Sequence, residues 1–135
     1  MKKRLVIAIA AAVAAGSVAG SGVPGVTRLA LAAGPPTSFK EDVQPVFVGR
    51  CVSCHSADGE GFKASGLDLT TYQGVMKGTK LGPMIIPGEP DSSNLMRLLD
   101  WHASPQLRMP HGKKQLSVCD RNAIRAWIRE GAKDN

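Results

Sequence analysis

The segment Arg50–Ser56 reads RCVSCHS, which sets two thiols three positions apart and an imidazole directly behind the second. Each chemistry that uses such a run demands a different fold around it. A redox dithiol at the start of a helix expects a preceding strand in a βαβ unit, whereas the residues ahead of Cys51 carry a helical pattern. A structural zinc site needs a second close pair of ligands. Cys119, His102 and His111 are the remaining thiol and imidazoles, and they form no such pair. A disulfide between residues three apart is strained and closes almost no loop, so it would stabilise little.

The compartment separates these readings. Lys2, Lys3 and Arg4 form a positive n-region, and the uncharged apolar run Leu5–Ala15 follows it, as in a secretory signal peptide. Ala30-Leu31-Ala32 supplies the small-x-small pattern of a cleavage site. Residues 1–33 are therefore expected to be removed after Ala32 or Ala33, leaving one domain at 34–135 with no stable membrane insertion. Ser17-Val18-Ala19 offers an earlier site of the same shape. An uncleaved anchor is disfavoured, because the segment is short and glycine-rich for a bilayer span.

Four basic residues and no acid leave with the leader, so the formal charge falls from +6 to +2. The basic balance of the precursor thus implies no nucleic-acid partner. A domain of this size buries a modest fraction of its surface, and aromatics are 4% of the chain. Side chains alone furnish little large apolar surface for a core.

Ser38-Phe39-Lys40-Glu41 has the capping-box arrangement, and Phe39, Val43, Val46 and Phe47 make one helical face running toward Cys51. Pro45 predicts a bend or break in that helix. Residues 57–66 read as an exposed loop, and Thr70 or Thr71 as the cap of a short helical turn through Met76. KGTKLGPMIIPGEP reads as irregular. Asp91 is the expected N-cap of a helix carrying Leu95, Met96, Leu98 and Leu99. Ser117 and Asp120 form a second box, opening a helix that buries Ala123, Ile124, Trp127 and Ile128 and ends at Gly131. No strand or internal repeat is expected.

In an exported chain, C-x-x-C-H reads as the attachment site of a c-type haem. At the start of a helix, positions 51, 54 and 55 stand on adjoining faces. Two sulfurs then reach the vinyl groups on one porphyrin edge while the imidazole of His55 turns to the iron as proximal ligand. A large flat apolar cofactor also supplies the centre that the side chains lack. The expected fold class is all-α, with short helices and long loops wrapped around one covalent haem c held by Cys51 and Cys54.

VQPVFVGRCVSCHS, SGLDLTTYQGVMKG, IIPGEPDSSNL, RMPHGKKQLS and IRAWIREGA occur in this order over most of residues 39–132. In these segments the chain resembles the small single-haem c-type cytochromes, and within them the planctomycete-type cytochrome c domain. The resemblance implies a cytochrome c-like fold in which a helix ahead of the attachment site crosses a C-terminal helix, with Phe47 and Trp127 as the aromatic pair at the crossing. It also implies that the methionine of an MP pair near the last helix is the distal ligand.

Met76, Met84, Met96, Met109, His102 and His111 are the candidates for that sixth position. Met109 is preferred: it follows His55 by 54 residues, enough chain to pass around the ring, and Pro110 stiffens the backbone beside it. Met84, next to Pro83, is its rival among the methionines, in a segment read as pocket lining. Met96 lies on an apolar helix stripe and reads as core. His111 is a stronger ligand for ferric iron and would lower the potential; it and His102 otherwise read as solvated. Cys119 reads as a small buried residue in the first turn of the last helix, with intermolecular pairing as the alternative. Arg108, Lys113 and Lys114 cluster around Met109 and could steer an acidic redox partner.

The expected function is that of an exported, periplasmic carrier passing one electron between redox partner proteins, with His55/Met109 ligation and no bond-making step. Two other readings are a haem enzyme or gas- or peroxide-reactive sensor with a displaceable sixth ligand, and an electron-delivering subunit of a larger dehydrogenase.

Overall fold

The computed structural model describes residues 34–135, and the leader expected at 1–33 lies outside the described residues. The regular elements are a π-helical segment Phe39–Val43, α1 Gln44–Arg50, α2 Glu60–Ser65, α3 Tyr72–Lys77, α4 Asn94–Leu99, a 3-10 turn Pro105–Leu107 and α5 Val118–Arg129. Among the described residues there is no strand, only an isolated bridge between Thr79 and Gly82. No helix among them is long and apolar enough to cross a membrane.

Pro45 divides the first helix as its chemistry requires. The hydroxyl of Ser38 accepts the Glu41 N–H at 3.2 Å. The carboxylate that returns to the Ser38 N–H is Asp42, at 2.8 Å, one residue beyond the Glu41 of the expected box. Pro45 has no N–H to give the preceding turn. That turn widens to π geometry, and α-helix begins at Gln44 with the proline in its first turn.

Two boundaries differ from the sequence reading. Residues 60–65 form α2 where a loop was expected. Gly66, at a φ of 80°, closes that helix by donating its N–H to the Phe62 carbonyl at 2.6 Å. The helix buries no residue fully, so it carries no apolar period to read. The second concerns α4, which opens at Ser93 instead of Asp91. Ser93 is fully buried and binds the preceding loop, donating to the Glu89 carbonyl at 2.8 Å and accepting the Ile86 N–H at 2.9 Å. Asp91 is exposed and pairs with Arg125.

Phe39 forms the aromatic centre, with ring centroids 6.5 Å from Phe47, 5.3 Å from Tyr72 and 5.2 Å from Trp127. The expected Phe47–Trp127 pair is thus replaced by Phe39 packed against Trp127 with the two rings tilted by 40°, because the π-helical segment packs on α5. Ile124, Trp127 and Ile128 of α5 and Leu95, Met96 and Leu99 of α4 complete the core. Ala123 is half-buried. Arg121 and Arg125 of α5 both meet Asp100 at the end of α4, fixing the two helices to each other. The Met109–Pro110 peptide is cis.

Candidate functional site

The Cys51–His55 run follows a helix instead of opening one, contrary to the sequence expectation, because α1 ends at Arg50. The Phe47 carbonyl accepts the N–H groups of both Cys51, at 2.8 Å, and Val52, at 3.0 Å, which closes the helical ladder. The Cys51 carbonyl then accepts the N–H groups of Cys54 and His55, each at 3.0 Å. One closed turn results, and it displays positions 51, 54 and 55 much as a helical turn would.

Two glycines lie against this turn. A β-carbon at Gly59 would stand 2.2 Å from the Cys54 carbonyl oxygen, and one at Gly61 would stand 2.9 Å from both Cε1 and Nε2 of His55. Nothing in a Gly-, Ser- and Lys-rich stretch distinguishes such packing glycines from loop glycines, so the sequence reading passed over both.

The His55 ring is oriented by its other nitrogen. Nδ1 stands 3.2 Å from the Leu67 carbonyl oxygen. A carbonyl can only accept, so in the neutral ring the proton sits on Nδ1 and Nε2 keeps its lone pair. The Leu69 N–H returns to the His55 carbonyl at 2.9 Å, pinning the 67–69 segment to the turn.

Met109 is half-buried, and both of its backbone polar groups are engaged. Its N–H donates to the Leu98 carbonyl at 3.2 Å, and its carbonyl accepts the Trp101 indole N–H at 3.0 Å. Trp101 was not among the candidates, since an isolated loop aromatic carries no period or motif.

Cys51, Cys54, His55 and Met109 line one cavity of about 550 Å³, within the usual range for small-molecule sites. Its walls are mostly apolar, with Leu67, Leu69, Leu95, Leu98 and Leu99 among them. Met84 and His111, the rival ligands, line the same cavity, whereas His102 and Cys119 do not. Met96 is buried in the core, and Met76 packs against it. Cys119 is exposed, which corrects its reading as a buried residue. The inner face of α5 is carried by Ile124, Trp127 and Ile128, and Cys119 falls on the other side.

The donor set fits a haem. Two thiols, a bare imidazole nitrogen and a thioether surround an apolar space, and the only carboxylate among the lining residues, Glu60, is exposed. Arg50, His111 and Lys113 are the other charged or ionisable groups at its exposed rim. No thiol is paired with another. Burial pushes the Cys51 thiol up to about 11, against a smaller opposing pull from Arg50 and Lys113. Among the described residues no group of three or more His, Cys, Asp or Glu is arranged to hold a bare metal ion.

A family model described as Planctomycete cytochrome C matches residues 51–111. That span begins at Cys51 and contains every candidate ligand that lines the cavity. No curated protein and no solved structure gives a significant match.

Proposed function

Residues 51–111 are a planctomycete-type cytochrome c domain, and on that premise we propose that the chain is an exported, periplasmic carrier of one electron. In this reading a single haem c is held by thioether bonds from Cys51 and Cys54, with His55 and Met109 as axial ligands. The observation that carries it is a convergence: both thiols, the Met109 thioether and an imidazole with a bare Nε2 all line one apolar cavity.

Bound there, the haem supplies reversible one-electron chemistry. The side chains position and insulate. The Leu67 carbonyl fixes the tautomer and the plane of the His55 ring. Leu95, Leu98 and Leu99 keep water from the cavity, and the thioether of Met109 favours a higher potential than a second imidazole would. Arg50 and Lys113 at the rim favour redox partner proteins with an acidic docking face. Export rests on the leader pattern of residues 1–33.

Optical spectra of the protein exported from cells with a haem-attachment system test the ligand assignment. The parent should show the long-wavelength sulfur-to-iron absorption of a methionine ligand, and Met109→Ala should lose it while keeping the haem. Retention of the band in the variant would hand the role to Met84, which shares the cavity. A parent without the band would favour His111 or an open sixth position, and with it a ligand-binding haem protein.

A further inference from the structure

Between Leu98 and Met109 the chain leaves the end of α4 and returns to it, closed at its base by the Met109 N–H to Leu98 bond. Trp101 stands inside this loop at a φ of 62°, a left-handed conformation that a bulky side chain rarely adopts. Such a conformation persists only where its surroundings impose it. Here they do: Asp100, the residue before, is gripped by Arg121 and Arg125 of α5. The Arg108 guanidinium covers the indole ring 5.4 Å from its centroid, and its Nε donates to the Ala103 carbonyl at 3.3 Å. The outcome of this arrangement is an indole N–H aimed at the Met109 carbonyl, 3.0 Å away. Trp101 itself does not line the cavity.

Resting on the assignment of Met109 as axial ligand, we propose that Trp101 is its positioning residue. The indole N–H locks the Met109 backbone and thereby sets how firmly the thioether holds the sixth position against competing ligands.

The test titrates the haem-loaded ferric protein with imidazole and follows loss of the sulfur-to-iron band. Trp101→Phe keeps an aromatic ring beneath Arg108 and deletes the donor. It should bind imidazole roughly three- to tenfold more tightly than the parent, the scale of one hydrogen bond. Trp127→Phe deletes another indole bond, to the Lys133 carbonyl at 2.8 Å, and should bind imidazole as the parent does. Equal affinity in parent and Trp101→Phe, or an equal rise in both variants, overturns the proposal. A band that survives Met109→Ala is a different result, and it removes the ligand assignment itself. If Trp101→Phe does not fold, hydrogen exchange on the parent decides. Imidazole should speed exchange of the Trp101 indole N–H, because displacing the thioether releases the loop; an unchanged rate overturns the proposal.

Discussion

The two thiols of the Cys51–His55 run are not equivalent in the folded polypeptide. Cys54 is exposed, whereas Cys51 is half-buried, and desolvation pushes its thiol up to about 11. At pH 8 roughly one Cys51 in a thousand is then a thiolate, the form that reacts. Iodoacetamide at that pH should modify Cys54 well before Cys51 in the haem-free chain, as peptide mass mapping would report; equal rates would contradict the burial. The sign of the pH effect follows. The unfolded thiol ionises near its ordinary value, while the folded one keeps its proton to about 11. In that window the folded state binds more protons, so the stability of the haem-free chain falls as pH rises through it. At the same scale, Gly59→Ala forces a β-carbon against the Cys54 carbonyl. It should cost about 1–3 kcal/mol in thermal melts, as overpacking does. Gly49→Ala, in the last turn of α1 with nothing within 4 Å, should be neutral or stabilising.

Among the elements, capping chemistry carries the most legible information. Ser117 accepts the Asp120 N–H at 3.0 Å and opens α5 where the sequence pattern puts it. Ser117→Ala should lower stability by about 1 kcal/mol, measured by denaturant unfolding. Thr71 caps α3 in the same way, and the Pro45 break was equally legible, because a missing N–H has only local consequences. What the sequence hid depends on distant partners. Asp91 has the look of a cap, but Arg125 recruits it while Ser93 takes its place. Phe39, in the π-helical turn ahead of Pro45, takes the place against Trp127 that was expected of Phe47. At the site, the gathering of Cys51, Cys54, His55, Met84 and Met109 on one cavity was legible, since the first three follow from spacing and the last two from a proline beside a thioether. Gly61, the Leu67 carbonyl and Trp101 were not, since backbone oxygens and glycines acquire their roles only through folding.

For the whole molecule, the scarcity of aromatics and the cavity are two sides of one arrangement. The buried side chains form one cluster that includes Phe39 and Trp127, and five of its members, Phe47, Leu67, Leu69, Leu95 and Leu99, also line a space of about 550 Å³. The rim charges bear on encounter with small redox reagents as well. Oxidation of the loaded protein by the anion hexacyanoferrate should slow as salt rises past the point where the screening length falls to about 8 Å. Lys113→Glu should slow it further at low salt, which stopped-flow rates would measure. All of this presupposes a haem joined to the chain through its two sulfurs. The mass of the exported polypeptide under denaturing, reducing conditions tests that directly. The account predicts the chain plus one haem, and the chain alone once Cys51 and Cys54 are both changed to serine. A parent that carries no added mass, from cells able to perform the attachment, would contradict it.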